Sequence, residues 1–142
     1  MDSFDVELIT PERLAFSEKV EEIYAPTPTG TVGILAHHVP LFTALSEGEI
    51  KIVAGKKEYY LAIGGGFMQV TKTNVSILVS RAMHADEINE AEIKKAQTSA
   101  KEALTRKVKG EELETAQAML RRSLIEFKVL RRKQHRTTAL PS

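Results

Sequence analysis

The 142-residue sequence predicts an α+β protein, with an N-terminal antiparallel β-sandwich or flattened barrel followed by a C-terminal antiparallel two-helix hairpin. Up to residue 85, short segments that alternate apolar and polar residues are separated by turn residues, as strands half buried in a sheet are. From residue 86 onward, apolar residues recur every three or four positions, as in amphipathic helices. We therefore assign residues 1–85 to a sandwich domain, 86–136 to a helical hairpin and 137–142 to a flexible tail.

The first domain contains about eight short segments with the spacing of strands. Phe4–Ile9 alternates Phe, Val and Leu with Asp, Glu and Ile, and Val20–Ala25 is predicted as a further strand that ends at Pro26–Pro28. Gly55–Lys57 joins two alternating segments as a hairpin turn. Many short strands at turn-punctuated spacing favour a sandwich or flattened barrel of antiparallel strands.

The second domain begins with a helix for which Asn89 is the predicted N-cap and Glu92 the third helical residue, with Asp86 as the competing cap. Its apolar stripe is Ile93, Ala96, Ala100 and Leu104, and Lys109–Gly110 is predicted to end it. The second helix has the stripe Leu113, Ala116, Leu120, Leu124, Phe127 and Leu130. Because alanine buries little apolar surface, we expect the hairpin to detach or melt before the sandwich.

Composition excludes several classes of protein. No run of about 18 apolar residues is present, so no membrane span is expected, and the N-terminus lacks a signal-peptide pattern. The chain has no cysteine, which excludes disulfides, thiol nucleophiles and thiolate metal sites. Charge is distributed unevenly: residues 1–85 carry 7 Lys and Arg against 10 Asp and Glu, whereas residues 86–142 carry 13 against 9.

The sequence gives no positive indication of catalysis or metal binding. On an extended chain, the neighbours His37 and His38 point to opposite faces and would not converge on one ion. Gly64–Gly66 leads into a strand rather than a helix, which favours a bulge or turn over a phosphate cradle. No Ser/His/Asp arrangement is recognisable.

The strongest physical signal is the basic C-terminal end, where residues 121–142 hold seven Lys and Arg and one acidic residue, Glu126. Such an imbalance favours a contact with an acidic protein surface or a nucleic acid over a merely solvated helix face. The basic patch, as we call it, consists of Arg121, Arg122, Lys128, Arg131 and Arg132.

The stretch Gly30–Leu41, with the sequence GTVGILAHHVPL, resembles the signature of the ATP synthase epsilon subunit. The resemblance continues through Gly48–Ile50, Gly65–Val70 and Asn74–Leu78, and then through the change to two helices. It implies a β-sandwich followed by a helical hairpin in a non-catalytic rotor-stalk subunit of the F-type proton-transporting ATP synthase. Such a subunit couples rotation of the c-ring to the catalytic head and lies at the cytoplasmic face of the bacterial plasma membrane, held there only through the complex.

The resemblance also implies partners and site residues. The partners are the gamma subunit, the c-ring and, when the hairpin extends, acidic segments of the beta subunits, where the basic patch would inhibit ATP hydrolysis. The residues that match the ring-facing loop are Thr31, Val32, His37, His38 and Pro40, although Thr31 replaces the usual acid and Ala36–His37 the usual Pro-Gly.

A family motif for ATP, I/L-D-x-x-R-A, matches only Ile88 here, because Asn89 replaces the aspartate and Glu92 the arginine. A carboxylate in place of a cation disfavours a triphosphate, so we expect weak or no ATP binding and no other cofactor or metal. The alternative from another class is a nucleic-acid-binding β-domain with a basic helical arm.

Overall fold

The computed structural model describes the backbone of residues 2–139 and the side chains of residues 2–132. The chain divides after His84 into a unit of strands and a unit of helices, one residue before the predicted boundary. Of the predicted tail, residues 137–139 belong to the last helix, and residues 140–142 lie outside the described residues.

Ten strands form the first unit, more than the eight or so predicted. They are β1 (Phe4–Ile9), β2 (Leu14–Val20), β3 (Glu22–Thr27), β4 (Gly30–Leu35), β5 (Leu41–Leu45), β6 (Gly48–Ala54), β7 (Lys57–Ile63), β8 (Gly66–Val70), β9 (Asn74–Val79) and β10 (Ala82–His84). The strands make two five-stranded sheets, sheet 1 in the order β2-β1-β9-β8-β5 and sheet 2 in the order β10-β7-β6-β3-β4. The predicted sandwich is confirmed. Because each sheet has two edge strands, the flattened-barrel alternative is wrong.

The prediction that all strands are antiparallel is also wrong at one position. In sheet 1, β1 and β9 pair in parallel, with Asp5 opposite Asn74 and Leu8 opposite Ile77. Strands joined by a short turn are antiparallel by necessity, but these two are far apart in the sequence. Alternation of apolar residues reports which face is buried and carries no information about strand direction.

The proline-rich stretch does not end the third strand where predicted. β2 ends at Val20, and β3 runs from Glu22 through Pro26 to Thr27. Its pairing with β6 extends only from Glu22 to Tyr24, whereas the pairing with β4 continues through Pro26 opposite Thr31. Proline is tolerated because it lies where β3 has a ladder partner on one side only.

Along each strand, the side chains on one face fill the space between the two sheets. The fully buried side chains include Val6, Leu8, Ile23, Ile50, Leu61, Met68 and Ile77. Gly64 and Gly65 connect β7 to β8, in agreement with the predicted turn between strands. Gly66 begins β8 at a point where a Cβ atom would overlap the backbone carbonyl of Leu78 in β9, so this position requires glycine.

The second unit begins with a 3-10 turn, Ala85–Glu87, followed by α1 (Glu90–Thr105) and α2 (Glu111–Ala139), which pack against each other. Asn89 is the N-cap of α1, as predicted, and its Oδ1 accepts a hydrogen bond from the backbone N–H of Glu92 at 3.2 Å. Among the described residues, no helix is apolar enough over a sufficient length to cross a membrane.

The predicted end of α1 at Lys109–Gly110 is wrong. The helix ends at Thr105, and Lys107 has a left-handed backbone with φ of 56°. Gly110, with φ of 66°, instead precedes α2 and accepts the backbone N–H of Glu114 at 3.1 Å. A lysine in the left-handed conformation therefore terminates the helix at a position where glycine is the usual residue.

The predicted stripe of α2 is correct in part. Ala116 and Leu130 are buried, but Leu124 is 53% exposed. The buried side also contains Ser123 and Val129, which the apolar spacing missed. An apolar pattern misses Ser123 because serine is polar. It can nevertheless be buried because its hydroxyl donates to the carbonyl oxygen of Leu120 at 2.8 Å.

Candidate functional site

The predicted ring-facing loop is a tight turn that joins β4 to β5. The backbone N–H of His38 donates to the carbonyl oxygen of Leu35 at 3.2 Å and so closes a four-residue turn. His37, its third residue, has a φ of 66°. A positive φ at the third residue favours glycine, and proline is favoured at the second. Ala36 and His37 therefore occupy the two positions for which Pro-Gly would be the better pair.

The two histidines of this turn are held apart. His37 Nε2 lies 3.0 Å from an Asp2 carboxylate oxygen, whereas His38 Nδ1 lies 2.6 Å from the backbone oxygen of Val39. The reason expected from the sequence, an extended backbone, is not the one observed, because the chain turns here. Among the described side chains, no group of three or more His, Asp or Glu residues is arranged to hold a metal ion.

The other predicted loop residues occupy two different surroundings. Thr31 and Val32 are in β4, an edge strand, where Thr31 is exposed and Val32 packs partly against the core. Pro40 is exposed just before β5. At about 3.3 Å per residue, Thr31 lies about 13 Å along the strand from its end at Leu35. The predicted set therefore comprises an edge-strand part and a turn part.

The outer face of sheet 1 carries a row of apolar side chains that the sequence interpretation missed. The outer apolar row consists of Leu14, Ile9, Leu78, Phe67 and Phe42. Four of these residues are in register across β2, β1, β9 and β8, because Ile9 is opposite both Leu14 and Leu78, and Leu78 is opposite Phe67. Phe42 of β5 lies opposite Gln69, two residues further along β8, and reaches Phe67 diagonally. Phe42 stacks on Phe67, with ring centroids 5.6 Å apart and an interplanar angle of 18°.

These side chains are exposed to an unusual degree for their size. Phe42 is 67% exposed, and Leu14, Phe67 and Leu78 are each just over half exposed. A contiguous apolar patch of this kind marks a contact surface. The sequence did contain a signal, since the pairs Leu8–Ile9 and Ile77–Leu78 place apolar residues on both phases of a strand.

The same face becomes polar along the strands. At the level of Phe42, Glu7 is opposite Ser17 and Ser76, and Gln69 lies between Ser76 and Phe42. Further along, Lys19 Nζ lies 3.5 Å from an Asp5 carboxylate oxygen. An apolar centre beside a polar margin is the usual arrangement of a protein–protein interface.

The residues of the basic patch are all exposed on α2. Arg121, Lys128 and Arg132 are 7 and 11 residues apart, close to whole helical turns, so they lie on one side of the helix. Arg122 lies on another side, where its Nε is 3.1 Å from a Glu126 carboxylate oxygen. The structure therefore separates Arg122 from the other patch residues.

Apolar side chains lie within the basic patch. The guanidinium of Arg131 is 6.0 Å from the ring centre of Phe127, a cation–π distance. A cavity of about 420 Å³ is lined by Leu124, Phe127, Lys128, Arg131 and Arg132. The surface can thus receive a partner segment that carries both acidic and apolar side chains.

The three residues of the degenerate ATP motif lie at the N-terminal end of α1. Ile88 is buried, and the Asn89 side chain is occupied in capping the backbone N–H of Glu92. The Glu92 side chain is exposed. No cation takes the place of the motif's arginine at this position.

On the outer face of sheet 2, a lysine lies between two tyrosines. Lys51 Nζ is 5.7 Å from the Tyr24 ring centre and 6.0 Å from that of Tyr60. The Tyr24 hydroxyl donates to a Glu22 carboxylate oxygen at 2.5 Å, and that of Tyr60 donates to Glu58 at 2.7 Å. The hydrogen bond to Glu22 raises the pKa of Tyr24 above its ordinary value, and desolvation and the carboxylate charge add to the rise.

The chain is thus a two-sheet sandwich followed by two helices, with an exposed apolar face on the first unit and a basic surface on the second. The family model described as the ATP synthase delta/epsilon chain β-sandwich domain matches residues 3–85. The chain belongs to the ATP synthase epsilon chain family.

Curated relatives match over nearly the whole length. The ATP synthase epsilon chain of Herpetosiphon aurantiacus is 37% identical over 131 residues, which are 92% of this chain and 96% of that one. The epsilon chain of Dehalococcoides mccartyi strain CBDB1 is 37% identical over 137 residues, 95% and 98% of the two chains. The resemblance noted in the sequence is confirmed, and the nucleic-acid-binding alternative finds no support.

A solved structure shows the same fold. A chain in the cryo-EM structure of the Euglena gracilis mitochondrial ATP synthase, which comprises OSCP, F1 and the c-ring, superimposes with a TM-score of 0.67 at 22% identity. The match covers 95% of this chain and 81% of that one.

The raised pKa of Tyr24 predicts that the stability of the sandwich depends on pH in the alkaline range. Because its folded-state pKa is raised, the contact with Glu22 contributes stability below about pH 10, the pKa in the unfolded chain, and loses it as the pH rises through the folded-state pKa. In a titration of tyrosinate absorbance, Tyr24→Phe should remove a component that ionises above about pH 10, and Glu22→Gln should move that component to lower pH. An identical titration curve above pH 10 in Tyr24→Phe, apart from amplitude, would contradict this assignment.

His37→Gly should stabilise the sandwich. The substitution removes the cost of a left-handed backbone, which is about 1–2 kcal/mol for an L-residue. Against this gain, glycine makes the unfolded chain more flexible, which costs about 0.5–1 kcal/mol of folding free energy. The free energy of unfolding should therefore rise by about 0.5–1 kcal/mol. Urea unfolding measures the change. His37→Ala is the matched control, because it also removes the imidazole contact with Asp2 but keeps the backbone strain, and it should give no gain. Equal stability of the two variants would show that the backbone is not the cause.

Proposed function

We propose that this chain is a non-catalytic subunit that links the c-ring to the catalytic head of an ATP synthase through the gamma subunit, and that α2 inhibits ATP hydrolysis. The observation that carries the proposal is the presence of two contact surfaces of different chemistry on the two units. The sandwich presents the outer apolar row, and the helices present the basic patch. In the assembled enzyme the chain would lie at the cytoplasmic face of the bacterial plasma membrane, held there through its protein partners.

The outer apolar row is suited to a permanent contact, which we assign to gamma. Burying a large apolar side chain is worth about 1.5–3 kcal/mol, so five partly exposed ones supply several kcal/mol without any charge. A rotor partner must stay attached during turnover, and stable interfaces have an apolar centre of this type. The turn at His37–His38 and the exposed part of β4 are then left for the c-ring.

The basic patch is suited to a reversible contact with acidic segments of the beta subunits. Moving a two-state equilibrium from mostly unbound to mostly bound takes about 5.5 kcal/mol of differential binding. Hydrogen bonds to charged groups contribute about 1.5–3 kcal/mol each, so a few of the five cations suffice. The apolar side chains beside Arg131 add contact area and select partners that carry both kinds of group.

We also propose that ATP binds weakly or not at all. The position of the motif's aspartate is taken by Asn89, whose side chain caps α1, and a carboxylate, Glu92, replaces the arginine. Like charges disfavour a triphosphate at this point. Calorimetry at millimolar ATP should show no saturable site, and one clear site would overturn the proposal.

Replacing Phe42 and Phe67 together by alanine should weaken binding to a gamma-containing catalytic head. Loss of about 3 kcal/mol of apolar contact corresponds to a Kd increase of roughly 100-fold. Calorimetric titration of the head with the variant chain gives the Kd. Leu35→Ala is the control, since Leu35 is 52% exposed but lies in sheet 2, and its Kd should be unchanged. An unaltered Kd for the double variant would place gamma on another face.

Replacing the five residues of the basic patch by glutamine should release inhibition of ATP hydrolysis by roughly tenfold or more while assembly with the head is retained. Glutamine has a helix propensity close to those of Lys and Arg, so α2 should keep its structure. Hydrolysis rates of the reconstituted head measure the effect.

The matched control for the basic patch is the triple variant of Lys95, Lys101 and Lys109 to glutamine. These lysines are also exposed and lie on α1 or in the connection between the helices. The triple variant removes three positive charges, against five in the patch variant, without changing α2, and we expect inhibition to persist. Equal inhibition by the patch variant and the wild-type chain would exclude the basic patch as the inhibitory surface.

A further inference from the structure

The last strand of the sandwich is held by a side chain from the first turn of the chain. Arg13 follows β1 in a turn in which the Thr10 backbone N–H donates to the Arg13 carbonyl oxygen at 2.9 Å, and the Arg13 N–H donates to the Thr10 hydroxyl at 3.1 Å. From this fixed position, Arg13 Nη2 donates to the backbone carbonyl of Ala82 at 2.9 Å. The contact joins residues 69 positions apart, at the first residue of β10.

The other end of β10 is held by its own final residue. His84 Nε2 lies 2.7 Å from the carbonyl oxygen of Ala15 in β2. Its ring is 6.2 Å from that of Phe16, which in turn meets Tyr59 of β7 edge to face at 5.1 Å. Arg13 and His84 therefore both tie β10, an edge strand of sheet 2, to the β1–β2 region at the edge of sheet 1.

Without these contacts, β10 would be poorly held. It has three residues and pairs with β7 alone. Short edge strands with one partner are weakly stabilised, and such segments open locally at low free-energy cost. The division between the two units nevertheless falls directly after His84, at the end of this strand.

We propose that Arg13 and His84 form a clasp that keeps β10 fixed to the sandwich, so that any movement of the helices is confined to residues 85–89. The clasp rests on the proposed function insofar as the helices move to inhibit the catalytic head. Arg13 and His84 are positioning residues, because they act on the place at which the hairpin pivots.

A fixed pivot has a consequence for the reach of the helices. If β10 came away with them, the connection would lengthen by three extended residues, about 10 Å. A connection that much longer would place the basic patch less accurately and would increase the entropy lost when the patch binds its partner. The clasp thus keeps α2 at a defined distance from its docking surface.

Amide hydrogen exchange of the full chain tests the clasp, with Arg13→Gln and His84→Phe combined in one variant. Phenylalanine keeps a ring against Phe16 but cannot bond the Ala15 carbonyl. In the wild-type chain, we expect residues 82–84 to be protected like β6 and β7, with a break in protection between His84 and Ala85. In the variant, exchange of residues 82–84 relative to β6 should rise about tenfold or more.

The control is Glu18→Ala, an exposed residue in β2 that should leave the ratio of exchange in β10 to that in β6 unchanged. Because the readout is a ratio, a general loss of stability does not imitate the result. An unchanged ratio in the double variant, or wild-type residues 82–84 exchanging together with 85–89, would overturn the clasp.

A second readout separates the clasp from the proposed function. In the reconstituted head, the double variant should bind gamma normally and inhibit hydrolysis several-fold less well than the wild-type chain. If β10 is released and inhibition stays the same, the clasp does not place the hairpin. Failure of the wild-type chain itself to inhibit would instead refute the proposed function, and the exchange result would still decide whether β10 is held.

Discussion

The two faces of each strand determine how this molecule can be used. Side chains alternate across a strand, so only one phase of each strand can fill the space between the two sheets. That phase supplies Leu8, Ile77 and Met68 to the core. The neighbours of these same residues, Ile9, Leu78 and Phe67, must then point away from the core, where they form most of the outer apolar row. The core and the outer apolar row thus share the same strands, and a change of register in one of these strands would displace residues of both.

The helical unit buries less apolar surface than the sandwich and carries more surface charge. Its buried side contains several small residues, including Ala100, Ala116 and Ser123, which allow the helices to approach closely but bury little apolar surface. Charged residues dominate the exposed side of α2. A unit whose internal packing is modest and whose outer surface is strongly charged is suited to exchanging partners, whereas the sandwich, with its continuous core, is suited to staying in place.

The general architecture could be predicted from the sequence because both the two-residue repeat of the strands and the three-to-four-residue repeat of the helices are pronounced. The phase of Phe4, Val6 and Leu8 identified a half-buried strand, and Asn89 with Glu92 identified the start of α1. The parallel pairing of β1 with β9 was beyond prediction, since alternation is blind to direction and the two strands are distant in sequence. The end of α1 was misplaced because Lys107 takes a left-handed backbone that is normally assigned to glycine.

The candidate surfaces were only partly predictable, for a related reason. The basic patch is visible in composition alone, and the sequence signature located the turn at His37–His38. The outer apolar row required the strand register, because Ile9, Phe67 and Leu78 become neighbours only when β1, β9 and β8 are aligned. Likewise, the contact of Arg13 with Ala82 joins two segments that no local pattern connects.

In the proposed function, the sandwich attaches the chain to the enzyme and the helices inhibit hydrolysis. The most direct measurement is ATP hydrolysis by the catalytic head, reconstituted with either the full chain or a chain that ends after His84, together with the amount of each chain bound. The sandwich has its own continuous core, so the shortened chain should fold and bind the head as well as the full chain does, but only the full chain should slow hydrolysis. Equal inhibition by both chains, or failure of the folded shortened chain to bind, would contradict this division of roles.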